Sequence, residues 1–158
     1  MKLIIVSNLL SLVASLELKS PEKTPSLKTQ FDNCSLASQL LSYGGNFNNS
    51  TINDWVCLTF YESHWNTAAK ARWIDDGSYD WGLFQINDNY YCYSDYSNKA
   101  AAYNLCGLDC SLLVDDDIED DSACASIIYE QRGFGAWNGW KYDCKGQDLS
   151  AWTEGCDL

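Results

Sequence analysis

The chain has 158 residues, with 22 Asp and Glu against 10 Lys and Arg, which gives a formal net charge of −12 at pH 7. A chain of this length supports one hydrophobic core and predicts a single folded domain. The negative charge argues against nucleic acid as a partner, because binding to phosphates depends on basic residues. No segment after the N-terminal stretch is apolar enough to span a bilayer, so we expect no stable membrane insertion. We also expect a monomer.

The first 33 residues differ in composition from the rest. Lys2 precedes a mostly apolar stretch over residues 3–13, and the small residues of Val13-Ala14-Ser15 follow it. Residues 1–15 are therefore predicted to be a secretory signal peptide; the alternative is a disordered or weakly helical N-terminus. Residues 16–33 have two prolines and no hydrophobic period, which predicts a flexible extension. The folded domain is predicted to span residues 34–158 of a secreted, extracellular protein.

Two helices are predicted near the start of this domain. Leucines at 36, 40 and 41 recur at helical spacing, and Gly44-Gly45 ends the pattern. Asp54 precedes an apolar run and is expected to cap a second helix that carries Glu62 near its end. His64 lies two positions after Glu62, short of the spacing at which helical residues face each other. We therefore interpret His64 as a surface residue and not as a base.

The next segment predicts a small antiparallel sheet. Residues 75–78, Asp-Asp-Gly-Ser, form a predicted tight turn between two β-like runs, which places Asp80 on a strand. Farther along, residues 118–130 predict a third helix closed by Gly133, and residues 137–144 a short fourth one. The predicted fold class is α+β, with a helical lobe, a small antiparallel β lobe and a cleft between them.

Eight cysteines lie in the predicted domain. In a secreted protein an even number of cysteines indicates a disulfide framework, and spacing alone leaves 105 possible pairings. Metal binding by these cysteines is the poorer interpretation, because Cys106-(x3)-Cys110 lacks partner residues at zinc-site spacing and His64 is the only histidine. The cysteines occupy positions 34, 57, 92, 106, 110, 124, 144 and 156.

Two carboxyl groups have contrasting neighbours. Glu62 lies among aromatic and apolar residues, and Asp80 lies in a segment with Ser, Gln and Asn. A carboxyl in apolar surroundings keeps its proton near neutral pH and can act as an acid, whereas one in polar surroundings stays charged. Two carboxyls that differ in this way can cleave a sugar linkage between them. The pair alone is weak evidence, since most acidic residues are merely solvated at a surface.

The motifs around these carboxyls are more specific. They read Cys57-(x4)-Glu62-Ser63, Asp76-Gly77-Ser78-(x)-Asp80-(x)-Gly82-(x)-Phe84-Gln85-Ile86-Asn87 and Ala136-Trp137-(x2)-Trp140. With them, the segment from Cys34 to Cys156 resembles the c-type lysozyme and α-lactalbumin family. The resemblance implies a lysozyme-like fold with four disulfides. The implied pairs are Cys34–Cys156, Cys57–Cys144, Cys92–Cys110 and Cys106–Cys124.

The resemblance also implies roles. Glu62 matches the general acid, and Asp80 matches the second carboxylate, a nucleophile or electrostatic stabiliser. The implied reaction is retaining hydrolysis of the β-1,4 link between N-acetylmuramic acid and N-acetylglucosamine, with peptidoglycan or chitooligosaccharide as substrate. The alternative is a non-catalytic sugar-binding or regulatory protein, as in the lactalbumin branch. The residues that match the family's substrate-binding positions are Gln85, Asn87, Tyr90, Tyr91 and Trp137.

One segment departs from the family pattern. The family often places an asparagine just before the Asp-Gly turn, where it helps to orient the second carboxylate. This chain reads Trp73-Ile74-Asp75 at that point. Neither carboxylate is removed by the change, but the rate and the pH optimum are expected to be affected.

A second acidic segment has six carboxylates in the seven residues 115–121. Such a cluster repels itself unless a cation neutralises it. It is not an EF-hand, because Asp120 stands where that motif needs glycine. The alternative is a solvated acidic start to the third helix. The segment resembles the calcium loop of α-lactalbumin and the calcium-binding lysozymes, which implies a structural Ca²⁺ as cofactor. The implied ligands are the backbone carbonyls of Leu112 and Asp117 and the carboxylates of Asp115, Asp120 and Asp121.

Overall fold

The computed structural model describes residues 30–96 and 103–158. The predicted signal peptide, residues 1–15, and residues 16–29 of the predicted extension lie outside the described residues. Residues 30–33 belong to the fold. Gln30 pairs with Asn66 in an isolated antiparallel bridge, and the Phe31 amide donates to the Trp65 carbonyl at 3.1 Å. The folded region therefore reaches back to Gln30, before the predicted boundary at Cys34.

Helix α1 spans Asn33–Tyr43 and helix α2 spans Ile52–Ser63. Asp32 caps α1 by accepting a hydrogen bond from the Ser35 amide at 2.8 Å, and the helix ends at Gly44 as predicted. The prediction that Asp54 caps α2 is wrong. The cap position is Thr51, because the preceding turn already directs the Ile52 amide to the Asn48 carbonyl at 2.9 Å. Asp54 lies in the first turn, where its carboxylate favours the helix dipole.

Helix α3 spans Glu119–Arg132, close to the predicted range, and Gly133 follows it as predicted. The predicted short fourth helix over residues 137–144 is present over residues 138–144, and most of it is the π-helical turn Trp140–Cys144. A 3₁₀ turn at Gly133–Ala136 joins α3 to it. The Gly139 amide lies in its first turn, where it has no partner within the helix, and donates to the Glu62 side chain at 2.8 Å. Further 3₁₀ turns lie at Cys110–Val114 and Ser150–Trp152.

The β lobe is one antiparallel sheet in the order β1-β2-β3. Its strands are β1, Lys70–Arg72, β2, Tyr79–Trp81, and β3, Ile86–Asn87. The predicted turn over residues 75–78 joins β1 to β2, and the Gly77 amide closes it onto the Trp73 carbonyl at 3.0 Å. Asp80 lies on β2 as predicted, opposite Ala71 on one side and Asn87 on the other. This sheet beside three α-helices confirms the α+β class.

The core of the helical lobe is built around Trp55, whose side chain is fully buried. Its ring makes edge or tilted contacts with Phe47, Phe134 and Trp137 at centroid distances of 4.7–5.4 Å. Such aromatic pairs add to the free energy gained from burial alone. Because Trp137 also faces the cleft, the core fixes one wall of the candidate site.

Four disulfides cross-link the domain, and their pairing agrees with the one that the family resemblance implies. Cys34–Cys156 and Cys57–Cys144 close the longest loops and so restrict the unfolded chain most. Four disulfides fit an extracellular protein. Among the residues that the structure describes, no helix has the length and apolar character needed to cross a membrane.

Candidate active site

A cavity of about 410 Å³ lies between the helical and β lobes. The structure brings together all seven residues that the sequence predicted for catalysis and substrate binding. These are Glu62, Asp80, Gln85, Asn87, Tyr90, Tyr91 and Trp137. His64 is not among the lining residues; it is exposed, ends helix α2 and packs against Phe60.

Glu62 lies near the C-terminal end of α2, where it is largely buried. Burial raises the pKa of its carboxyl to about 7, because the charged form loses its hydration. The Gly139 amide donates to Oε1 at 2.8 Å and opposes part of that rise, and the negative charge of Asp80 adds to it. The carboxyl therefore keeps a proton at mildly acidic pH and can transfer it to a substrate oxygen.

Asp80 is held from both sides on strand β2. Asn87 donates to Oδ1 at 2.7 Å, and the indole N–H of Trp73 donates to Oδ2. Burial nevertheless raises the pKa of Asp80, and these two hydrogen bonds lower it by less. The sequence predicts that Asp80 stays charged among polar neighbours; its partial burial opposes ionisation, and the two donors favour it. The pKa values of both cleft carboxyls are raised, and that of Glu62 is raised more.

Two side chains of the helical lobe donate hydrogen bonds to backbone carbonyls in the turn before β3. The indole N–H of Trp137 donates to the Phe84 carbonyl at 2.9 Å, and the hydroxyl of Ser63 donates to the Leu83 carbonyl at 2.8 Å. Trp137 is only 5% exposed, so its ring forms an apolar wall near Glu62. In the same turn the amide of Gln85 donates to the Gly82 carbonyl. These contacts fix the β lobe against the residues that surround the acid.

The opposite rim of the cleft is aromatic. Tyr90 is well exposed, and Tyr91 is partly buried with its ring 6.0 Å from that of Tyr90. Arg132, from the end of α3, donates to the Tyr91 hydroxyl at 3.0 Å. Half-exposed aromatic rings with polar tips suit the faces and hydroxyl groups of sugars.

Sequence reasoning did not assign several lining residues. Gly139 is the most consequential, since a Cβ there would lie 3.0 Å from Oε1 of Glu62 and 3.0 Å from Cβ of Tyr61. Only the match to Trp137-(x2)-Trp140 pointed to its neighbourhood. Trp73 was noted as a departure from the family pattern, and nothing in the sequence indicated its contact with Asp80. The other unassigned lining residues are Tyr61, Ile86, Ile128, Arg132, Ala136 and Asn138.

The structure does not assemble the predicted calcium ligands into a cage of side chains. Within residues 30–96 and 103–158, no three carboxylate, imidazole or thiolate groups are grouped so that they could hold a metal ion. Asp115 accepts a hydrogen bond from the Asp117 amide, and Asp120 accepts one from the Asp121 amide. Leu112 lies in the 3₁₀ turn just before this segment.

Asp121 differs from the other acidic side chains of this segment. It is 1% exposed, and neither carboxylate oxygen has a hydrogen bond of good geometry, although the Leu83 backbone opposes part of the effect of burial. Burial and the charge of Asp120 raise its pKa well above the usual range. A buried carboxylate without a partner is costly, and a cation bound beside it would remove that cost. The donor chemistry fits a hard cation such as Ca²⁺.

Comparison with known proteins identifies relatives of this chain. The family model of the C-type lysozyme/alpha-lactalbumin family matches residues 29–156. The chain is 39% identical to Lysozyme C of Bufo gargarizans andrewsi over 131 residues, which cover 82% of this chain and 88% of that protein. It is 39% identical to Lysozyme C, milk isozyme, of Canis lupus familiaris over 130 residues, 81% of this chain and 98% of that protein. It is also 39% identical to Lysozyme-like protein 2 of Homo sapiens over 131 residues, 81% and 85% of the two chains.

Proposed function

The chain belongs to the C-type lysozyme/alpha-lactalbumin family, and from that premise we propose that it is a secreted lysozyme. Its reaction is hydrolysis of the β-1,4 links between N-acetylmuramic acid and N-acetylglucosamine in bacterial peptidoglycan. The observation that carries the proposal is the pair of carboxyls in one cavity, with Glu62 bonded to the Gly139 amide and Asp80 held by two donors. Such a pair is the machinery of a glycosidase.

In the proposed mechanism, protonated Glu62 gives its proton to the oxygen that links the two sugars, and the bond from that oxygen to the anomeric carbon breaks. Ionised Asp80 bonds to that carbon, or stabilises its positive charge, on the face opposite the departing oxygen. Glu62, now a carboxylate, then takes a proton from a water molecule, and the hydroxyl adds to the anomeric carbon on the side from which the first sugar departed. Where Asp80 has bonded, its bond to the carbon breaks as the hydroxyl adds, and its carboxylate is restored. Both routes retain the configuration of that carbon. Asp80 and Glu62 end in their starting protonation states.

Family membership alone leaves two classes open, because the relatives include proteins named Lysozyme C and a protein named Lysozyme-like protein 2. The alternative for this chain is a non-catalytic sugar-binding or regulatory protein. The catalytic class is favoured because both carboxyls are present, they line one cavity with Trp137, and burial raises the pKa of Glu62 to about 7. A binding protein has no need of a carboxyl whose pKa lies near 7.

The proposal is tested by the products formed from purified insoluble peptidoglycan. We expect new reducing ends, with N-acetylmuramic acid identified at those ends by mass spectrometry, and shortened products from chitooligosaccharides. The assay needs moderate salt, because a chain of net charge −12 is repelled by anionic cell walls at low ionic strength. Sedimentation with the wall without any new reducing ends would favour the non-catalytic class.

A structural calcium site is a second part of the proposal. The expected ligands are the carbonyls of Leu112 and Asp117 and the carboxylates of Asp115, Asp120 and Asp121. Support comes from the buried carboxylate of Asp121, which has no hydrogen bond of good geometry, and from the raised pKa of Asp120, which burial and the charges of Asp115 and Asp117 cause. Bound Ca²⁺ would supply positive charge at this point and take no part in the reaction. The ion would stabilise the start of α3, away from the catalytic carboxyls.

A further inference from the structure

Trp73 lies between strands β1 and β2, at the position where the chain departs from the family pattern. Its indole N–H donates to Oδ2 of Asp80, while Asn87 donates to Oδ1. Each oxygen of the carboxylate therefore has a donor from a different element, one from the turn and one from β3. Asn87 also donates to the hydroxyl of Ser78, so its amide is shared between two acceptors. The indole has no second acceptor in the described structure.

The backbone holds Trp73 in this orientation even though its side chain is 48% exposed. The Trp73 amide donates to the Ser78 carbonyl at 2.8 Å, and its carbonyl accepts from the Gly77 amide at 3.0 Å. Within the turn, the Asp76 carboxylate accepts from the amide and the hydroxyl of Ser78. The indole therefore projects from a closed turn, and its donor position does not depend on burial of the ring.

The groups that face Asp80 explain why this donor matters. The charged groups that act on it are acidic: Glu62 from α2, Asp76 from the turn and Asp88 after β3. The cations of β1, Lys70 and Arg72, lie over the rings of Tyr79 and Trp81, and the residue of β1 opposite Asp80 is Ala71. No cation is among the groups that shift its pKa, which rises through burial and is lowered first by Trp73 and then by Asn87. The hydrogen bonds from Trp73 and Asn87 therefore stabilise the ionised form of Asp80.

We propose that Trp73 is a positioning residue for Asp80, and that its indole N–H fixes Oδ2 while Asn87 fixes Oδ1. The inference rests on the proposed glycosidase function, since it concerns the second carboxylate of that reaction. The neighbouring Ile74 is 91% exposed and contributes no such donor.

The ring has a second role, which follows from its position. Trp73 lines the main cavity and also an adjoining cavity of about 260 Å³ with Asp75, Asp76, Ser78 and Asn87. A half-exposed indole between two cavities presents a flat apolar face to a sugar that passes from one to the other. Substitution can separate the effect of the indole N–H from that of the ring face, because phenylalanine keeps a ring and removes the donor.

The test uses the full-length protein and three variants. Trp73→Phe should move the acidic limb of the kcat/KM profile to higher pH by about half to one pH unit, since a lost bond to a charged group favours the protonated form of Asp80. KM should change little. Trp73→Ala should show the same shift together with a KM raised about threefold to tenfold, because the stacking face is also lost. Ile74→Ala, in the same turn, should match the wild type.

A carbon-13 NMR titration of the Asp80 carboxyl in the wild type and in Trp73→Phe gives a readout that does not need activity. A higher midpoint in the variant, with an unchanged Tm, is the expected result. If the wild type makes no reducing ends but the midpoint still moves, the glycosidase proposal fails and the positioning of Asp80 by Trp73 stands. Identical midpoints and identical pH profiles in wild type and Trp73→Phe would overturn the inference.

Discussion

Two acidic regions of this molecule use opposite arrangements. In the cleft, each buried carboxyl receives hydrogen bonds from the chain: Glu62 from the Gly139 amide, and Asp80 from Trp73 and Asn87. In the acidic segment at the start of α3, Asp121 is buried and neither of its oxygens has a well-formed hydrogen bond. Burial raises the pKa of all three carboxyls. Well-formed hydrogen bonds oppose the rise in the cleft, whereas at Asp121 the Leu83 backbone opposes it without a bond of good geometry and the charge of Asp120 adds to it.

The cleft carboxyls are stabilised by donors of the chain alone, whereas the acidic segment is expected to need a bound cation. A carboxyl that must change its protonation state during a reaction benefits from burial with a few fixed donors, because neither form is then stabilised too strongly. A carboxyl that repels its neighbours and has no donor is stabilised by an external cation. The following predictions test whether the cleft and the acidic segment differ in this way.

The largest expected effect is on the rate. Glu62→Gln should keep the fold and sugar binding but lower the rate of peptidoglycan cleavage by roughly 10²–10⁴-fold, because the amide cannot donate a proton to the leaving oxygen. The matched control is Glu119→Gln, the same chemical change at an exposed residue of the acidic segment, and it should leave the rate unchanged. Equal losses in both variants would show that net charge, and not the acid, controls the rate.

The second effect concerns the acidic segment. Calcium at a hundredfold excess over its Kd should stabilise the native state by about 2.7 kcal/mol and raise Tm by several degrees relative to EDTA. Asp120→Ala should abolish the calcium-dependent rise. Catalysis should be the same with and without calcium wherever the protein stays folded. Equal Tm values for the wild type in EDTA and in millimolar Ca²⁺ would rule the site out.

The third effect is a pH-dependent stability change caused by the cleft. Because the folded pKa of Glu62 is raised to about 7, the folded state binds its proton more tightly than the unfolded state does. Stability from this group is therefore present at low pH and is lost as the pH rises from about 4.5 through about 7. Glu62→Gln should be more stable than the wild type by about 3 kcal/mol at pH 8 and equal to it at pH 4. Thermal melts at both pH values measure the difference.

The smallest effect tests the close approach of Gly139 to Glu62. Its backbone is helical, so alanine is tolerated there, but the added Cβ would crowd Oε1 of Glu62 and the side chain of Tyr61. Gly139→Ala should lower the rate by about threefold to tenfold through displacement of the acid. Gly135→Ala is the control, because its Cβ would meet no atom within 4 Å. A wild-type rate in Gly139→Ala would show that the position of Glu62 does not depend on this contact.

The sequence predicted the fold class, the three α-helices, the strand that carries Asp80 and the set of residues around the cleft. The fold elements follow from short-range patterns such as leucine spacing and glycine at helix ends, and the cleft residues from the family resemblance of the motifs that flank the two carboxyls. The errors have long-range causes. The hydrogen bond from the Gly139 amide to Glu62, far away in the chain, was not predicted. The role of Trp73 was missed because its donor function depends on the closure of the turn.

The central claim is that Glu62 is the proton donor and that its burial sets the working pH. It is tested most directly by a carbon-13 NMR titration of the Glu62 carboxyl alongside the pH profile of kcat/KM for peptidoglycan fragments. The account predicts a midpoint near 7 and an alkaline limb of the activity profile at the same pH. A midpoint near the ordinary glutamate value, or an alkaline limb that does not follow the titration of Glu62, would contradict it.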